Sequence, residues 1–573
     1  MVAVVLLTLA TLAIGLLLAL DPRWGYDEAW HLYLSTLSPW TKALEEGLVD
    51  AHPPLHHLLL MPIAALGSDP FWFRLPSVVA AAATVPLWYV LLRRLRVDPE
   101  TALLGTLLLV TSAGFLELGV VVRSYSLGLL FLILGLLAAT SLVPPVALNA
   151  SGRANPSRPQ TLTAALGLTI AFAFMYSTLF VTLALVLVLA MIWAGQSGKP
   201  ALRFGEWPRR WRLPDRLAVG LLGIGSLLIM SWFAVGYGRG RGAVAPAHVD
   251  SLIFRETDSP LDFAWRGLVG NAGWLTPQFP QTPVWQAIAV GAFWIAATAV
   301  LVSALRRQQQ ARLLLVLSAF GATALVFFAA VVGVYPFGGL MRHQAMLLPL
   351  YLSVLVLAVD AISSRLRSPR SQRAFGLAVV AFALLGLYRG QHLDPIGEGN
   401  TQGAWSGALE ALETTRARAG AVYVESLAFY PLYADAYPQG IDFRMTLGVQ
   451  DGRPAEIPYR TGWIDGLGLS RDWDVFGMRG ACEPAGLLIR DRRHWTFPAI
   501  PDAQFLDRLK DLMAYLGIDS LQMLRVRSEG EDGPDSLSVD ARYREAGLVV
   551  TQVQRLGAMD TWVVRVEPPT KGM

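Results

Sequence analysis

Residues 2–20 read VAVVLLTLATLAIGLLLAL, with no charged side chain and two hydroxyls. A spanning helix needs about 20 mostly apolar residues, and only a helix satisfies its own backbone groups inside hydrocarbon. Ten further stretches have this character, at about 72–92, 101–120, 125–143, 161–176, 178–195, 217–236, 283–304, 313–334, 344–362 and 374–389. Eleven such runs constrain the chain more than any motif: it is expected to be an α-helical polytopic membrane protein. No basic stretch precedes 2–20 and no convincing small-residue cleavage pattern ends it, so it reads as a span and not as a signal peptide. Composition agrees. Charged residues make up 16% of the chain and hydrophobic ones 54%, against about 25% charged in an average soluble domain. Mean hydropathy is +0.45. A string of soluble domains, a disordered chain and a collagen-like chain are excluded. The single cysteine, Cys482, excludes an intramolecular disulfide.

The charge is distributed unevenly. Residues 1–390 carry 28 Lys and Arg against 17 Asp and Glu, whereas residues 391–573 carry 19 against 26. Basic residues cluster in alternate loops: at 93–96, 153–158, 199–216, 306–312 and 365–373. The positive-inside rule makes these five loops cytoplasmic, which also disposes of nucleic acid as the reason for a basic pI. The remaining connections then lie outside: 21–71, 117–125, a turn near Tyr176, 237–282 and 335–343. An odd number of spans puts the tail outside too. The sequence therefore divides into a membrane module at 1–390, with long outer loops 21–71 and 237–282, and an extracytoplasmic domain at 391–573. In the tail, apolar runs at 421–424, 486–489, 548–550 and 562–566 read as buried strands. Helical patterns at about 404–417, 502–516 and 538–546 alternate with them and suggest an α/β fold.

The expected outer loops hold most of the unusual chemistry. Loop 21–71 contains four of the eight histidines, His31, His52, His56 and His57, and the pair Asp27-Glu28. Carboxylates beside a membrane core are costly, so they invite a role as general base or cation ligand; solvated loop acids are the plain alternative. In His52-Pro53-Pro54-Leu55 the prolines fix the backbone that presents His52, or they merely turn the chain. His56 and His57 suit interfacial anchors better than ligands, and the histidine spacing fits no closed zinc pattern. Glu117 and Arg123 sit six residues apart in apolar surroundings; they either pair with each other or leave Arg123 as a donor fork for phosphate. Tyr125 is an interfacial residue or a ligand contact. In Tyr335–His343 the Pro and Gly residues break a helix before Arg342 and His343, which place cationic side chains where an anionic headgroup would lie; snorkelling is the bland account. No phosphate-binding GxxxxGK[ST] loop, GxSxG elbow or HExxH helix is present.

Taken in order, Tyr26-Asp27-Glu28, His52-Pro53-Pro54-Leu55, Arg74-Leu75-Pro76-Ser77, Arg123-Ser124-Tyr125 and Tyr335–His343 with Leu347-Leu348-Pro349 resemble the GT-C glycosyltransferases. The likeness is to protein O-mannosyltransferases of family 39 and to lipid A aminoarabinose transferases, over roughly residues 1–390. It implies an inverting transferase that moves a monosaccharide from a polyprenyl-phosphate donor to an acceptor hydroxyl at the outer membrane face. It assigns Asp27 as catalytic base with Glu28 as its partner. His52, Arg123, Arg342 and His343 go to the donor phosphate, and Tyr26, Tyr125, Glu117 and His57 to substrate. Where the aminoarabinose enzymes carry Lys before Pro-Pro-Leu, this chain carries His52. No cofactor is obligatory; a divalent metal ion bridging Asp27 and Glu28 to the phosphate stays open. The acceptor is left undefined. A flippase or transporter of lipid-linked saccharides is one competitor, against which the near absence of mid-span acids counts. A polymerase or ligase of surface polysaccharide is the other.

Overall fold

The computed structural model describes, with short interruptions, residues 1–36, 53–143, 158–196, 225–231, 258–275 and 282–389, and in the tail the backbone of eight strands. The helices are α1 Val2–Ala19, α2 Tyr26–Thr36, α3 Pro54–Ala64, α4 Pro70–Arg94, α5 Pro99–Val110, α6 Ala113–Leu118, α7 Tyr125–Leu142, α8 Arg158–Phe174, α9 Thr178–Gln196, α10 Pro260–Leu275, α11 Pro283–Arg306, α12 Gln310–Val331, α13 Met341–Gln344, α14 Leu348–Ser363 and α15 Pro369–Arg389. A 3₁₀ turn, Ala345–Leu347, joins α13 to α14.

Among the described residues, six segments are long and apolar enough to cross a membrane: Val2–Ala19, Pro70–Arg94, Tyr125–Leu142, Val284–Arg306, Gln310–Val331 and Arg342–Ser363. Shorter apolar helices occupy Pro54–Ala64, Pro99–Val110, Leu162–Phe174 and Thr178–Ile192. The chain is therefore a polytopic helical membrane protein. The expected run 101–120 is broken: α5 ends at Val110, Thr111 forms its C-cap, and Ser112 opens the short α6. The expected run 374–389 is helical within α15 but is not among the apolar segments above; of the expected run 217–236, residues 225 and 227–231 are described, and they are helical. Two stretches expected as outer loops contain helices, α2 and α3 in 21–71 and α10 in 237–282. The prolines explain α3. Pro53 is its extended N-cap, with φ −65° and ψ 152°, and Pro54 occupies the first turn, where a missing N–H costs nothing.

Polar groups in the spans are satisfied locally. Thr8 and Thr11 of α1 donate to the carbonyls of Val4 and Leu7, each at 2.9 Å, which lets a hydroxyl sit in an apolar run. Trp88 is fully buried and donates to the carbonyl of Gly105 at 3.1 Å. The helices α7 and α8 meet through glycine: a Cβ on Gly167 would come within 2.9 Å of the Gly135 backbone nitrogen, the close approach that small residues permit between membrane helices.

The chain forms two compact units. One comprises 1–20, 74–232 and 247–393, the other 21–73, 233–246 and 394–573. In the second unit the tail carries one mixed sheet: β1 Ala421–Glu425, β2 Thr446–Gln450, β3 Arg453–Ile457, β4 Pro484–Arg490, β5 Arg493–Pro498, β6 Ser520–Val526, β7 Leu548–Leu556 and β8 Met559–Val566, in the order β3-β2-β5-β4-β1-β6-β8-β7. The pairs β1–β6 and β2–β5 are parallel and the rest antiparallel. All four expected strands are present. The tail helices expected at 404–417, 502–516 and 538–546 lie outside the described residues.

Candidate active site

The first group of expected site residues lies on α2 and α3, which pack on each other. Tyr26 and Asp27 fall in the first turn of α2, and their side chains lie outside the described residues, as does His52. Glu28 is fully buried, and its Oε2 accepts from the Gly25 N–H at 3.0 Å. With Gly25 preceding the helix, this is the back-bond of a capping box, which satisfies an orphan donor at the helix start. Glu28 thus helps fix the turn that carries Asp27.

One helical turn on, His31 is also fully buried, as are His56 and His57 of α3. The Nδ1 atoms of His31 and His57 are 3.1 Å apart, so one ring must donate and the other accept, which sets their tautomers as a pair. The His31 ring stacks on His57 at 4.8 Å and meets His56 edge-on at 4.9 Å. The anchor role expected for His56 and His57 does not survive this burial: the packing of α2 on α3 encloses both rings, whereas an anchor keeps its polar tip wet. Trp24 and Phe73 close the neighbouring surface with ring centroids 5.3 Å apart. No group of three or more His, Cys, Asp and Glu among the described residues is arranged to hold a metal ion.

The second group lies in the other unit, at the turn between α6 and α7 and the bend before α14. Val120, Val121, Val122, Arg123 and Ser124 are all buried, and Arg123 is only 8% exposed. The Arg123 N–H closes a tight turn on the Val121 carbonyl at 2.7 Å. The Arg123 carbonyl accepts from Ser77 Oγ at 3.1 Å, and Ser126 Oγ reaches back to the Leu118 carbonyl at 2.5 Å. The fully buried Arg74 lies one helical turn before Ser77, on the same face of α4, and donates from Nη1 to the Ala19 carbonyl at 3.4 Å. The Arg74–Ser77 motif therefore ties the end of α1 and the turn bearing Arg123 to one helix. Sequence reasoning gave Arg74 no role, although a lone Arg inside an apolar run was a signal in plain view.

Glu117 is half-buried on α6. Desolvation pushes its carboxyl above the ordinary range, and the positive charge of Arg342 opposes that shift. The fold thus brings Glu117 within electrostatic reach of Arg342, residues 225 apart in sequence. Tyr335 donates its hydroxyl to the His343 carbonyl at 2.5 Å, and Gln344 Nε2 donates to the Pro336 carbonyl at 2.8 Å. These two bonds close the bend and hold Arg342 and His343 at its end. Burial raises the pKa of the Tyr335 phenol; a hydrogen bond from the side of Ser177 lowers it, and Tyr125 raises it further. Tyr125, Tyr335 and Ser177 are thus neighbours. Gly338 sits at φ +80°, and a Cβ there would meet the Gly267 backbone at 2.6 Å. The bend accepts only glycine at this point, for conformation and for space.

No protein-family model matches the sequence, and no curated protein matches it either. Solved structures do. ArnT from Cupriavidus metallidurans in the apo state matches at TM-score 0.50 with 15% identity, over 99% of each chain. The same protein bound to undecaprenyl phosphate matches at 0.51 with 14% identity, over 98% of this chain and 97% of that one. At this identity the likeness establishes architecture, and it covers nearly the whole of both chains: this chain shares the overall fold of ArnT.

Proposed function

We propose that this chain is an inverting glycosyltransferase that moves a monosaccharide from a polyprenyl-phosphate donor to an acceptor hydroxyl at the outer face of the membrane. The observation that carries the reading is the end-to-end fold likeness to ArnT, a protein whose structure holds undecaprenyl phosphate. The gathering of Glu117, Arg123, Tyr125, Arg342 and His343 around two neighbouring bends supports it.

In the proposed reaction the acceptor oxygen attacks the anomeric carbon from the face opposite the phosphate. The new C–O bond forms as the bond from the anomeric carbon to the phosphate oxygen breaks. Polyprenyl phosphate leaves with the electron pair, and the acceptor proton passes to Asp27. Glu28 positions the turn bearing Asp27 through its bond to Gly25. The leaving group is already a stable anion, so it needs charge stabilisation more than a proton. Arg123 and Arg342 supply that charge, with His52 and His343 beside the phosphate. Guanidinium suits the task because its planar donor fork matches phosphate oxygens and its charge does not titrate. Tyr26, Tyr125, Glu117 and His57 are assigned to substrate, and a divalent ion near Asp27 and Glu28 is an optional part of the scheme. The domain assignment that accompanies the reading is a catalytic membrane module, 1–390, and an extracytoplasmic α/β domain, 391–573.

The test is mass spectrometry of lipids and glycans from cells with and without the chain, repeated with Asp27→Asn. Loss of a proton acceptor of this kind costs about 10²–10⁴-fold in rate. A glycan that depends on the wild-type chain and vanishes with Asp27→Asn is the expected result. Full transfer by the variant would remove Asp27 as base. Movement of lipid across vesicles with no new glycosidic bond would replace the transferase reading with a flippase.

A further inference from the structure

We propose that a groove on the surface of α11 binds an anionic phospholipid, with the phosphate on Arg306, Arg307 and Arg365 and an acyl chain along the helix. The groove has a volume of about 820 Å³ and is open on one side. Its wall is largely apolar, formed by Trp294, Ile295, Ala299 and Val302 with the hydroxyls of Thr298 and Ser303 among them, and Ile295 is 73% exposed. From Gly291 to Ser303 the lining follows α11 for about 18 Å at 1.5 Å per residue, close to half the thickness of a bilayer's hydrocarbon core.

The three arginines stand at one end only. Arg306 and Arg307 close α11, and Arg365 comes from the stretch after α14, which packs against α11. Among the described residues none of the three makes a salt bridge to a carboxylate. A cation at each helix C-terminus complements that helix's dipole, but this does not bring three of them to the mouth of one apolar groove. The same arginines belong to loops that the charge pattern assigns to the cytoplasmic side, where anionic headgroups meet basic pockets between membrane helices. An apolar wall on a spanning helix selects a lipid over a soluble phosphate, because a soluble ion would leave that wall uncovered.

The test uses the full-length protein in detergent. Native mass spectrometry is run with phosphatidylglycerol, with phosphatidylcholine of the same acyl chains, and with glycerol 3-phosphate as the headgroup alone. We expect roughly tenfold preferential retention of phosphatidylglycerol over phosphatidylcholine. Arg306→Gln/Arg307→Gln/Arg365→Gln should abolish the preference. Ala299→Trp, which fills the groove and keeps the charges, should weaken retention of both lipids. Should the triple variant fail to fold, Arg365→Gln, outside any helix, carries the charge test, with about a threefold loss expected. Equal retention of the two lipids, a preference that survives loss of the arginines, or competition by glycerol 3-phosphate as effective as the intact lipid would overturn the proposal.

Discussion

Arg312 and Arg342 are the same side chain in the same unit, but their surroundings differ. Arg312 donates from Nε to the Leu95 carbonyl and from Nη2 to the Arg96 carbonyl, each at 2.9 Å, and it meets Asp360 Oδ2 at 2.9 Å. The other oxygen of Asp360 accepts from the Asp98 N–H at 3.0 Å, and Asp98 in turn caps α5 through the Glu100 N–H at 3.0 Å. Opposite charges here cancel one for one, and their hydrogen bonds lock α4, α5, α12 and α14 together. Near Arg342 lies Glu117, whose carboxyl burial shifts above the ordinary range while the positive charge of Arg342 opposes the shift. The contrast is between a cation paired with a carboxylate that ties helices together and a cation at a bend, the one assigned to the donor phosphate under the proposed function.

The sharpest way to break the contrast is to remove each arginine in turn. Arg342→Ala, and separately Arg123→Ala, should lower sugar transfer by about 10²–10³-fold, the usual scale for losing one charge-stabilising donor. Each should leave the folded fraction in detergent near wild type. Arg312→Ala should do the opposite: a loss of about 3 kcal/mol of stability, because Asp360 would stay behind largely buried and without its cation, with turnover per folded molecule little changed. Matched activity and thermal-melt measurements on the three variants decide the point. If Arg312→Ala abolishes turnover without loss of stability, the distinction fails.

A smaller effect is expected at Gly338. Gly338→Ala forces a Cβ into a positive-φ position with the Gly267 backbone 2.6 Å away, costing about 1–3 kcal/mol. Since the strain falls on the bend holding Arg342, the melting temperature and the retention of polyprenyl phosphate should drop together. Unchanged donor affinity would uncouple the bend from the site.

The smallest effect is a matter of pH. The pKa of Glu117 is raised in the folded state above its ordinary value of 4.5. The folded protein therefore holds that proton more tightly than the unfolded one. The associated stability is complete below the unfolded pKa and is lost as pH rises through the window above 4.5. Glu117→Gln abolishes this term, so the melting temperature of the wild type should fall relative to the variant as pH rises from 4.5 toward neutrality. Parallel curves would place Glu117 in a wetter or better-paired setting than the fold indicates.

How much was legible beforehand varied with the kind of signal. Long apolar runs such as 2–20 and 125–143 announced helices that are present. Thr111 and Ser112 in the middle of an apolar run were not enough to reveal that the helix stops, because hydroxyls are tolerated inside membrane helices by bonding back to the chain. Four strands of the tail were recognised by their apolar cores, and four were missed. The hairpin between β2 and β3 brackets Asp451-Gly452, a strong local turn signal. Among the site residues, the interfacial-anchor reading of His56 and His57 did not anticipate their burial, because the helix at 54–64 was masked by its two leading prolines, which open the helix and do not prevent it. For Glu117, pairing with Arg123 six residues away was one of two alternatives the local sequence offered; the fold brings Arg342 within electrostatic reach of it.

The sequence by itself determined that this chain lives in a membrane, where its long apolar helices such as 2–19 and 125–142 lie, and that acids, histidines and arginines recur between the apolar runs. Those properties follow from the free energy of transferring each short segment out of water, which neighbours distant in sequence barely alter. Only the tertiary structure decided that Glu28 caps a helix, that His31, His56 and His57 share one buried cluster, that Arg74 and Ser77 tie α4 to two other segments, and that Glu117 lies within electrostatic reach of Arg342. Desolvation and Coulomb attraction act over a few ångströms of space, and in this chain those few ångströms join residues dozens to hundreds of positions apart.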